Sequence, residues 1–338
     1  MKKKIIVTGG LGFIGCHLVE ALIKKGFFVI ILDNYSYSSN IDNLKECKKN
    51  YKVININICD PKVFNILSKY KPVGLFNLAA ETHVDRSIDN PKNFIYTNFV
   101  GTYNLLECTK RFIKNKKVKF KFVHISTDEV YGDIKPNYFS KENDAFKPNS
   151  PYAASKGASD LLVRSYNKTY KFPAIITNCS NNFGPNQFPE KLIPKMIINA
   201  MNDADLPIYG NGKNYREWIY VKDHCEALIK VFYNGKFGEN YNIGSGKIFS
   251  NNLIIKVLLQ ELRKNNYGKK SKIIYVKDRP SHDKRYALNT NKIRKSLKWK
   301  PKYNFKKSIS DTVKWYISNQ DWIKKINKKK YKERMGLK

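Results

Sequence analysis

The chain of 338 residues is 42% hydrophobic and 13% aromatic, which excludes an intrinsically disordered protein and gives enough length for two globular domains. Lys and Arg outnumber Asp and Glu by 63 to 28, so the formal net charge is +35. We interpret this charge as a solvated surface, because the lysines are spread along the whole chain and the aromatic and basic modules of nucleic-acid binders are missing. Only the cluster "KKINKKKYKER" near the carboxyl end leaves a nucleic-acid or acidic-membrane partner open.

The cysteine pattern and the amino terminus indicate a cytoplasmic protein. The six cysteines lie far apart without a C-x-x-C pair, and the five histidines show no metal-ligand spacing against them. No apolar run reaches the roughly 18 residues of a membrane-spanning helix. In "MKKKIIVTGG" the apolar stretch from Ile5 to Val7 is soon followed by glycines, which predicts a first β-strand and not a signal peptide. We therefore expect reduced cysteines, no metal site and no membrane segment.

Short apolar runs alternate with helical patterns in the first half of the chain, an arrangement typical of βαβ units with a parallel sheet. In chain order the strand-like runs are "KKIIVTGG", "FFVIILDN", "KVININICD", "VGLFNLAA", "FKFVHIST" and "PAIITNCS". Segments of helical period lie between them, such as 13–25 and 93–112. The runs are almost continuously apolar, as strands buried on both faces are.

A change in amino-acid composition after Phe183 predicts a second domain. Pro and Gly punctuate "FGPNQFPEKLIP" and "LPIYGNGKNYREW", and the polar loops lengthen. We therefore expect an α/β protein, with a doubly wound (Rossmann) parallel sheet in residues 1–183. A second, smaller α/β substrate-binding domain is expected in residues 184–338.

The first predicted strand leads into a glycine-rich turn. The stretch "VTGGLGFIGCHL" places Gly9, Gly12 and Gly15 between this strand and a predicted helix. Glycines there permit a tight turn and let the backbone approach a pyrophosphate, which rests at the positive end of the helix. The second strand ends in Asp33, whose carboxylate would accept hydrogen bonds from ribose hydroxyls and repel a 2′-phosphate. The pattern predicts NAD as the cofactor in preference to NADP.

The fifth strand-like run continues into "HISTDEVYG", which sets Thr127, Asp128 and Glu129 side by side. Adjacent carboxyl groups in one site suit acid and base catalysis, because different burial can hold one protonated and the other ionised. The other interpretation is a pair of surface acids at a strand end. The choice depends on whether further catalytic groups follow.

Such groups follow in "NSPYAASKGASDLLVRSY", which predicts a helix with Ser150 as N-cap and Pro151 at the first helical position. Tyr152 and Lys156 then lie four residues apart on one helical face. An ammonium beside a phenol favours the phenolate, so we predict a Tyr152 pKa lowered from its reference of about 10 toward neutrality. The phenolate would take a hydroxyl proton while hydride leaves the same carbon.

The glycine turn and the Y-x-x-x-K helix resemble those of the extended short-chain dehydrogenase/reductase family of nucleotide-sugar enzymes. The similarity spans nearly the whole chain and is strongest to the branch of 4,6-dehydratases that act on dTDP-glucose. It is carried by "AAETHVDRSI", "STDEVYGD", "SPYAASKG", "NCSNNFGPNQFPEKLIP", "YGNGKNYREWIYVKDH", "DRPSHDKRYA" and the terminal "GLK".

The resemblance implies a reaction in which tightly bound NAD oxidises C4 of the hexose, water is eliminated across C5 and C6, and hydride returns to C6. The product would be dTDP-4-dehydro-6-deoxy-glucose, which serves deoxysugar (rhamnose-type) nucleotide biosynthesis. Tyr152 would deprotonate the C4 oxygen, Thr127 would hydrogen-bond it, and Lys156 would orient Tyr152 and the nicotinamide ribose. Asp128 would protonate the departing hydroxyl, and Glu129 would be the base at C5.

Binding residues follow by matching motifs. On the cofactor side, besides the three glycines, Tyr152 and Lys156, the resemblance implies Phe13, Ile14, Asp33, Asn34, Tyr35, Ser36, Asn57, Ile58, Ala79, Ala80, Glu81, Thr97 and Asn182. On the nucleotide-sugar side it implies Thr82, His83, Thr127, Asn181, Lys191, Leu192, Pro207, Ile208, Tyr209, Arg216, Asn252, Arg279, His282 and Tyr286. Arginine suits a diphosphate through its bidentate fork, whereas Lys191 acts as a point charge. The two arginines could instead be surface residues, and 207–209 simple packing.

The sequence departs from the family pattern at several positions. Asn57 stands where an aspartate is usual near adenine, and we expect weaker cofactor retention without its loss, because an amide oxygen still accepts from an amine. Thr82 stands where serine is common, "GNGK" and "REW" replace "GDGK" and "RDW", and Ser281 replaces a glycine. Asn251 competes with Asn252 for the position at the substrate.

The family also implies that short pieces around 218–243 return to the first domain. A homodimer would be built from two helices of each subunit, at about 93–112 and 150–170. The alternatives are a related GDP- or UDP-sugar 4,6-dehydratase and, from a different class, a basic nucleic-acid-binding protein on an inactive dehydrogenase scaffold. The intact set from Thr127 to Lys156 argues against an inactive site, so we expect a nucleotide sugar as the partner and neither nucleic acid nor membrane.

Overall fold

The computed structural model describes residues 2–47, 49–114 and 119–326. Most of the basic cluster near the carboxyl end and the terminal "GLK" lie outside these residues. The strands are β1 Lys4–Thr8, β2 Phe28–Asp33, β3 Tyr51–Asn55, β4 Gly74–Asn77, β5 Lys121–Thr127, β6 Ala174–Cys179, β7 Asn181–Phe183, β8 Leu206–Tyr209, β9 Tyr215–Tyr220, β10 Asn240–Ile243, β11 Ile248–Ser250 and β12 Ile273–Val276. The six strand-like runs of the sequence correspond to β1–β6.

Seven of these strands form one sheet in the order β3-β2-β1-β4-β5-β6-β10, and every neighbouring pair in it is parallel. The order reverses between β1 and β4, which is the switch point where doubly wound sheets bind ligands. The predicted α/β, doubly wound fold class is confirmed. Two smaller sheets, β11-β9-β7 and β12-β8, are formed by the second half of the chain.

The helices are α1 Phe13–Lys24, α2 Val63–Tyr70, α3 Val84–Asp89, α4 Lys92–Phe94, α5 Gly101–Ile113, α6 Pro151–Tyr170, α7 Leu192–Met201, α8 Val221–Asn234, α9 Asn251–Lys264, α10 Asn291–Leu297, α11 Phe305–Ser318 and α12 Gln320–Lys325. None of these helices, within the described ranges, combines the length and the hydrophobicity needed to cross a bilayer.

The large sheet is buried on both faces. Ile5 and Val7 of β1 pack into the cluster that holds α1 and α8, whereas Ile6 between them packs into the cluster that holds α2, α5 and α6. Since successive side chains of a strand point to opposite faces, a strand covered on both sides must be apolar throughout. This geometry explains the continuous apolar runs of the sequence.

A separate apolar core holds the second half of the chain together. Side chains from α7, α9, α11 and α12 meet those of β8 and β9 there, for example Ile197, Leu258 and Val313. Two later elements instead pack with the large sheet: β10 pairs with β6, and α8 contacts α1. The chain therefore returns to the first core after contributing to the second.

The helical pattern at 93–112 is interrupted in the structure. Between α4 and α5 the chain forms a π-helical turn over Ile95–Val100. Asn98 in this turn is 1% exposed, accepts a hydrogen bond from Glu81 N at 2.9 Å and donates one to Glu81 O at 3.0 Å. π-turns are frequent at functional sites, and here the turn fixes the segment that follows β4.

The contact between the glycine turn and α1 generates a stability prediction. A Cβ at Gly15 would lie 2.1 Å from Gly9 O and 2.8 Å from Gly10 Cα, whereas a Cβ at Gly157 in α6 would meet Phe146 at an ordinary 3.5 Å. We expect Gly15→Ala to lower the free energy of unfolding by about 2 kcal/mol, as overpacking does. The matched Gly157→Ala should leave it unchanged or raise it by about 0.5 kcal/mol through helix propensity. Urea unfolding of both variants is the measurement, and equal midpoints would contradict the prediction.

Candidate active site

A cavity lies at the carboxyl ends of β1, β2, β4, β5 and β6. Of the residues assigned from the sequence, those lining it are Gly9, Gly12, Phe13, Ile14, Gly15, Asp33, Asn34, Ser36, Asn57, Ile58, Ala79, Ala80, Glu81, Thr82, Thr97, Thr127, Asp128, Glu129, Tyr152, Lys156, Asn181, Asn182 and Lys191. It is also lined by residues that were not assigned, among them Ser126, Cys179, Ser180, Gln187, Phe188 and Glu190.

The glycine turn leaves room for a ligand's phosphates at one end of the cavity. Gly9 has a φ of +67°, and a Cβ there would lie 2.9 Å from Ala79 Cα, so the turn requires glycine for both conformation and space. The amino terminus of α1 faces the cavity through Gly12 and Phe13. A dinucleotide's pyrophosphate fits this arrangement of backbone groups.

The carboxylate of Asp33 organises the loop that follows β2. Its Oδ2 accepts a hydrogen bond from Leu11 N at 3.1 Å, and its Oδ1 accepts from Ser39 Oγ at 2.7 Å and Tyr35 N at 3.0 Å. A carboxylate has about four lone-pair positions, so capacity remains for ribose hydroxyls. The residues present therefore fit the adenosine half of NAD.

Thr127, Asp128 and Glu129 form the turn at the end of β5. Thr127 Oγ1 donates to Asp128 Oδ1 at 3.2 Å and accepts from Glu129 N at 3.3 Å, which fixes both acids relative to the strand. Asp128 is 3% exposed, and among the described residues its Oδ2 has no hydrogen-bond partner. Gly132 ends the turn with a φ of +72°. Both acids line the cavity, where Asp128 is buried and Glu129 is half-buried.

The two carboxyl groups have different electrostatic surroundings. Burial, followed by the negative charges of Glu129 and Glu217, raises the pKa of Asp128 well above its usual range. Burial also raises the pKa of Glu129, but the positive charges of Arg279, Arg216 and Lys191 oppose that rise. Asp128 therefore retains its proton more strongly than Glu129, which separates an acid from a base within one turn.

Tyr152 and Lys156 lie on the cavity side of α6, whose predicted N-cap is confirmed by a hydrogen bond from Ala153 N to Ser150 Oγ. The predicted lowering of the Tyr152 pKa is wrong for the protein alone. Burial and the nearby Glu129 raise this pKa well above 10, although a hydrogen bond with Thr127 opposes them. Lys156 is itself buried and donates to Ile125 O at 2.7 Å, so its charge does not outweigh the burial of the phenol.

Three cations assigned to the diphosphate, Lys191, Arg216 and Arg279, act on Glu129 through their positive charge, and each has a partner of its own. Lys191 Nζ donates to Thr82 O at 2.6 Å. Arg216 Nη2 donates to Asp283 O at 2.8 Å, and its guanidinium lies 4.3 Å from the centre of the Tyr286 ring. These contacts hold the positive charge at the rim of the cavity.

Several assigned residues do not line the cavity. These are Tyr35, His83, Leu192, Pro207, Ile208, Tyr209, Arg216, Asn252, Arg279, His282 and Tyr286. Tyr35 is half-exposed, and Ile208 is buried in the second core. Asn252 donates to Asn211 O at 2.9 Å, while the competing Asn251 is buried at the start of α9.

Two acids that organise the rim were not predicted from the sequence. Asp85 accepts from Arg279 Nη1 at 2.8 Å and from the Tyr209 hydroxyl at 2.7 Å. Glu190 accepts from the Tyr37 hydroxyl at 2.7 Å and from Arg86 Nε at 2.8 Å. Both stand in quoted motifs, Asp85 two residues after His83 and Glu190 just before Lys191, but their partners lie far away in the chain.

Comparisons with known proteins agree with this site. The sequence profile of the family described as GDP-mannose 4,6 dehydratase matches residues 6–312. The dTDP-glucose 4,6-dehydratase of Salmonella typhimurium is 43% identical, and the alignment covers 97% of this chain and 96% of that protein.

Two solved structures extend the comparison. The dTDP-glucose 4,6-dehydratase of Bacillus anthracis in complex with NAD superposes with a TM-score of 0.87 at 38% identity. The superposition covers 96% of this chain and 100% of that chain. DesIV, a dTDP-glucose 4,6-dehydratase of Streptomyces venezuelae solved with NAD and TYD bound, gives 0.87 at 37% identity, over 94% of this chain and 98% of that one. The family resemblance inferred from the sequence is confirmed: this chain belongs to the nucleotide-sugar 4,6-dehydratase family and, within it, to the dTDP-glucose 4,6-dehydratases.

Proposed function

We propose that the protein catalyses the NAD-dependent 4,6-dehydration of dTDP-glucose in the cytoplasm, giving dTDP-4-dehydro-6-deoxy-glucose and water for deoxysugar nucleotide biosynthesis. The observation that carries the proposal is the pair of adjacent acids, Asp128 and Glu129, in one cavity with Tyr152 and Lys156. An enzyme that only removes and returns a hydride at C4 has no use for these acids. The dTDP-glucose 4,6-dehydratases among the relatives support this substrate over GDP- or UDP-sugars.

The residues that would hold the cofactor are those of the glycine turn, Asp33 and its loop, and the 79–81 segment after β4. NAD, when bound, supplies reversible hydride transfer at C4 and C6 and a positive charge that favours the Tyr152 phenolate. The hydrogen bonds between Asn98 and Glu81 keep the 79–81 segment in place beneath the cavity. The fixed 79–81 segment would thus help to hold the cofactor in one position throughout a turnover.

Proton transfer at C4 falls to Tyr152 and Thr127. The Tyr152 phenol takes the C4 hydroxyl proton, and Thr127, which hydrogen-bonds this phenol, orients the same oxygen. Lys156 lies one helical turn further along α6 and stabilises the phenolate by its positive charge. Because the phenol is buried, its ionisation depends on positive charge close by.

Loss of water falls to the two acids. Once C4 is a ketone, the C5 proton is acidic because its removal gives an enolate. Glu129, whose negative charge is favoured by Arg279, Arg216 and Lys191, takes this proton. Asp128, kept protonated by burial and neighbouring acids, delivers a proton to the C6 hydroxyl as it leaves. Lys191, Arg216 and Arg279 would bind the diphosphate, which offsets the repulsion among three positive charges.

Substrate and reaction are tested together by incubating the purified protein with dTDP-glucose and no added NAD. We expect the 4-keto-6-deoxy product by nuclear magnetic resonance, because the cofactor remains bound through purification and is regenerated in each cycle. UDP-glucose and GDP-mannose serve as controls and should turn over at least about tenfold more slowly, a difference of roughly 1.4 kcal/mol in transition-state binding. Faster turnover of either control would assign the chain to a different substrate.

The roles of the acids are tested by Glu129→Gln with Asp128→Asn as its matched partner. Glu129→Gln should lose deuterium exchange at C5 and slow product formation by about 10²-fold or more, the range of general-base catalysis, while reduced nicotinamide still becomes detectable by its near-ultraviolet absorbance. Asp128→Asn should retain deuterium exchange at C5 but eliminate water from the sugar slowly. If Glu129→Gln eliminated water at the wild-type rate, the role assignment would be wrong.

Two further features belong to the proposal. The first domain comprises residues 1–183, with about 218–243 returning to it, and the second comprises 184–338; the packing of α8 and β10 with the large sheet supports this division. The protein forms a homodimer through α5 and α6. Exposed apolar side chains on these helices, Tyr103 at 49% and Leu161 at 56%, support such an interface.

The dimer is tested by Leu161→Glu, with Leu253→Glu on α9 as the matched control because Leu253 is 45% exposed but lies outside these helices. Burying a charge in an apolar interface is unfavourable, so Leu161→Glu should convert the dimer into monomer, and Leu253→Glu should not. Size-exclusion chromatography with light scattering gives the mass. A wild-type monomer, or a Leu161→Glu dimer of unchanged stability, would refute the interface.

A further inference from the structure

We propose that Asp160 is a positioning residue that holds the Lys156 ammonium charged and in place beneath the cavity. The proposal rests on the proposed function, because it concerns the same Tyr152 and Lys156 pair. Tyr152, Lys156 and Asp160 follow one another at intervals of four residues on α6, so all three lie on the helix face that packs on β5 and β6. Only the first two were assigned a role by motif.

Among the described residues, none that contacts Asp160 carries a full positive charge. Asp160 is 1% exposed, its Oδ2 accepts from Asn178 Nδ2 at 3.0 Å, and its Oδ1 lies 3.3 Å from His124 Nε2. Asn178 is neutral, and burial together with the charge of Lys156 lowers the pKa of His124, which keeps its ring neutral. A buried carboxylate is costly without a cation; Lys156, 4% exposed and one turn away on the same helix, makes no direct ion pair with it, but the two charges act on each other through the buried interior.

The contacts of His124 show how Asp160 is held in place. Asn77 Oδ1 accepts from Thr8 Oγ1 at 2.9 Å, so the Asn77 amide nitrogen donates to His124 Nδ1 at 3.1 Å. The proton of the neutral ring then sits on Nε2, facing Asp160. Thr8, Asn77 and His124 are in register on β1, β4 and β5, so a buried polar row crosses the sheet from the end of β1 to the catalytic helix.

Lys156 is attached directly beside this row. Its Nζ donates to the carbonyl of Ile125, the residue after His124 on β5. Asp160 and Lys156 therefore connect α6 to consecutive residues of one strand. A shift of this part of α6 would break both contacts, and such a shift would displace the Lys156 ammonium from the cavity.

The titratable groups around Lys156 set the expected pH dependence. They are Tyr152 and Asp160 on α6, His124 on β5, Asp128 and Glu129 in the following turn, and Cys179 on β6. Burial raises the pKa of Asp128 and of Cys179, so both stay protonated, and His124 is neutral. Asp160 supplies the negative charge on the side of Lys156 away from the cavity, where it opposes the lowering of the Lys156 pKa by burial. Without it Lys156 would lose its proton at a lower pH.

The kinetic test compares Asp160→Asn, Asp160→Glu and Ser159→Ala. Asp160→Asn should lower kcat for dTDP-glucose about tenfold with KM within about twofold, and should move the basic limb of the kcat–pH profile down by about one unit. Asp160→Glu should return the basic limb to its wild-type position, because it restores the negative charge. Ser159→Ala, which removes a buried hydroxyl from the same helix, should leave the limb in place. A folded Asp160→Asn with the wild-type profile would overturn the proposal.

A second test needs no activity, so it separates this proposal from the proposed function, whose failure would be absent turnover by the wild type. Urea unfolding is measured for Asp160→Asn, Lys156→Met and the double variant. Asp160→Asn should increase the unfolding constant by some factor in the wild type. If the two charges are partners, that factor should be at least about tenfold smaller in the Lys156→Met background. An Asp160→Asn chain that fails to fold alone but folds in the double variant gives the same answer. Additive effects, or a double variant that is unfolded as well, would refute the pairing.

Discussion

Burial of the Asp128 carboxyl at the end of β5 is the constraint around which the site is built. An ionised carboxylate at 3% exposure would cost several kcal/mol, so the group stays protonated unless a cation faces it directly. Of the nearby cations Arg216 acts on Asp128, whereas Arg279, Arg216 and Lys191 all act on Glu129. One turn of backbone thus presents two carboxyl groups in different electrostatic surroundings, which suits the acid and the base of the proposed elimination of water.

The second half of the chain serves this charge arrangement. Arg279 comes from the loop after β12 and is held by Asp85 from α3, while Arg216 comes from β9 and packs on the Tyr286 ring. A guanidinium stays charged at any ordinary pH, so the field at Glu129 depends on where each arginine is held. Each one has a fixed partner at 2.8 Å. One partner, Asp85, lies in the first half of the chain and the other, Asp283, in the second, so the positive charge near Glu129 depends on contacts between the two halves.

Local patterns predicted much of this structure because they depend on neighbours in sequence. The six strands, the glycine turn and the cap at Ser150 follow from residues within a few positions of each other, and the parallel sheet then brings the strand ends together. The Tyr152 pKa could not be predicted in this way. It depends on burial and on Glu129, which reach Tyr152 only through the tertiary fold. The Asp85–Arg279 and Arg86–Glu190 pairs were missed for the same reason, because no local spacing marks a partner so distant in sequence.

The structure shows what surrounds the residues that depart from the family pattern. Glu217, where aspartate is usual, is fully buried, and its longer side chain accepts from Gly246 N at 2.6 Å and from Leu288 N at 2.8 Å. A Cβ at Gly244 would lie 2.2 Å from Glu217 Oε1, so a glycine makes the room that the extra methylene needs.

Ser281, where glycine is usual, has a φ of +50°, a conformation that costs a residue with a Cβ about 1 kcal/mol. It stands next to His282, which contacts Asp278 at 2.6 Å, so the strain falls in the loop after β12 and not in the turn that holds Thr127, Asp128 and Glu129. At Asn57 the amide oxygen already accepts from Cys59 N at 2.9 Å. An adenine amine would have to share that oxygen, which is the physical reason for the predicted weaker cofactor retention. All three departures therefore act on binding or packing, and the chemistry of Thr127, Asp128, Glu129, Tyr152 and Lys156 is left intact.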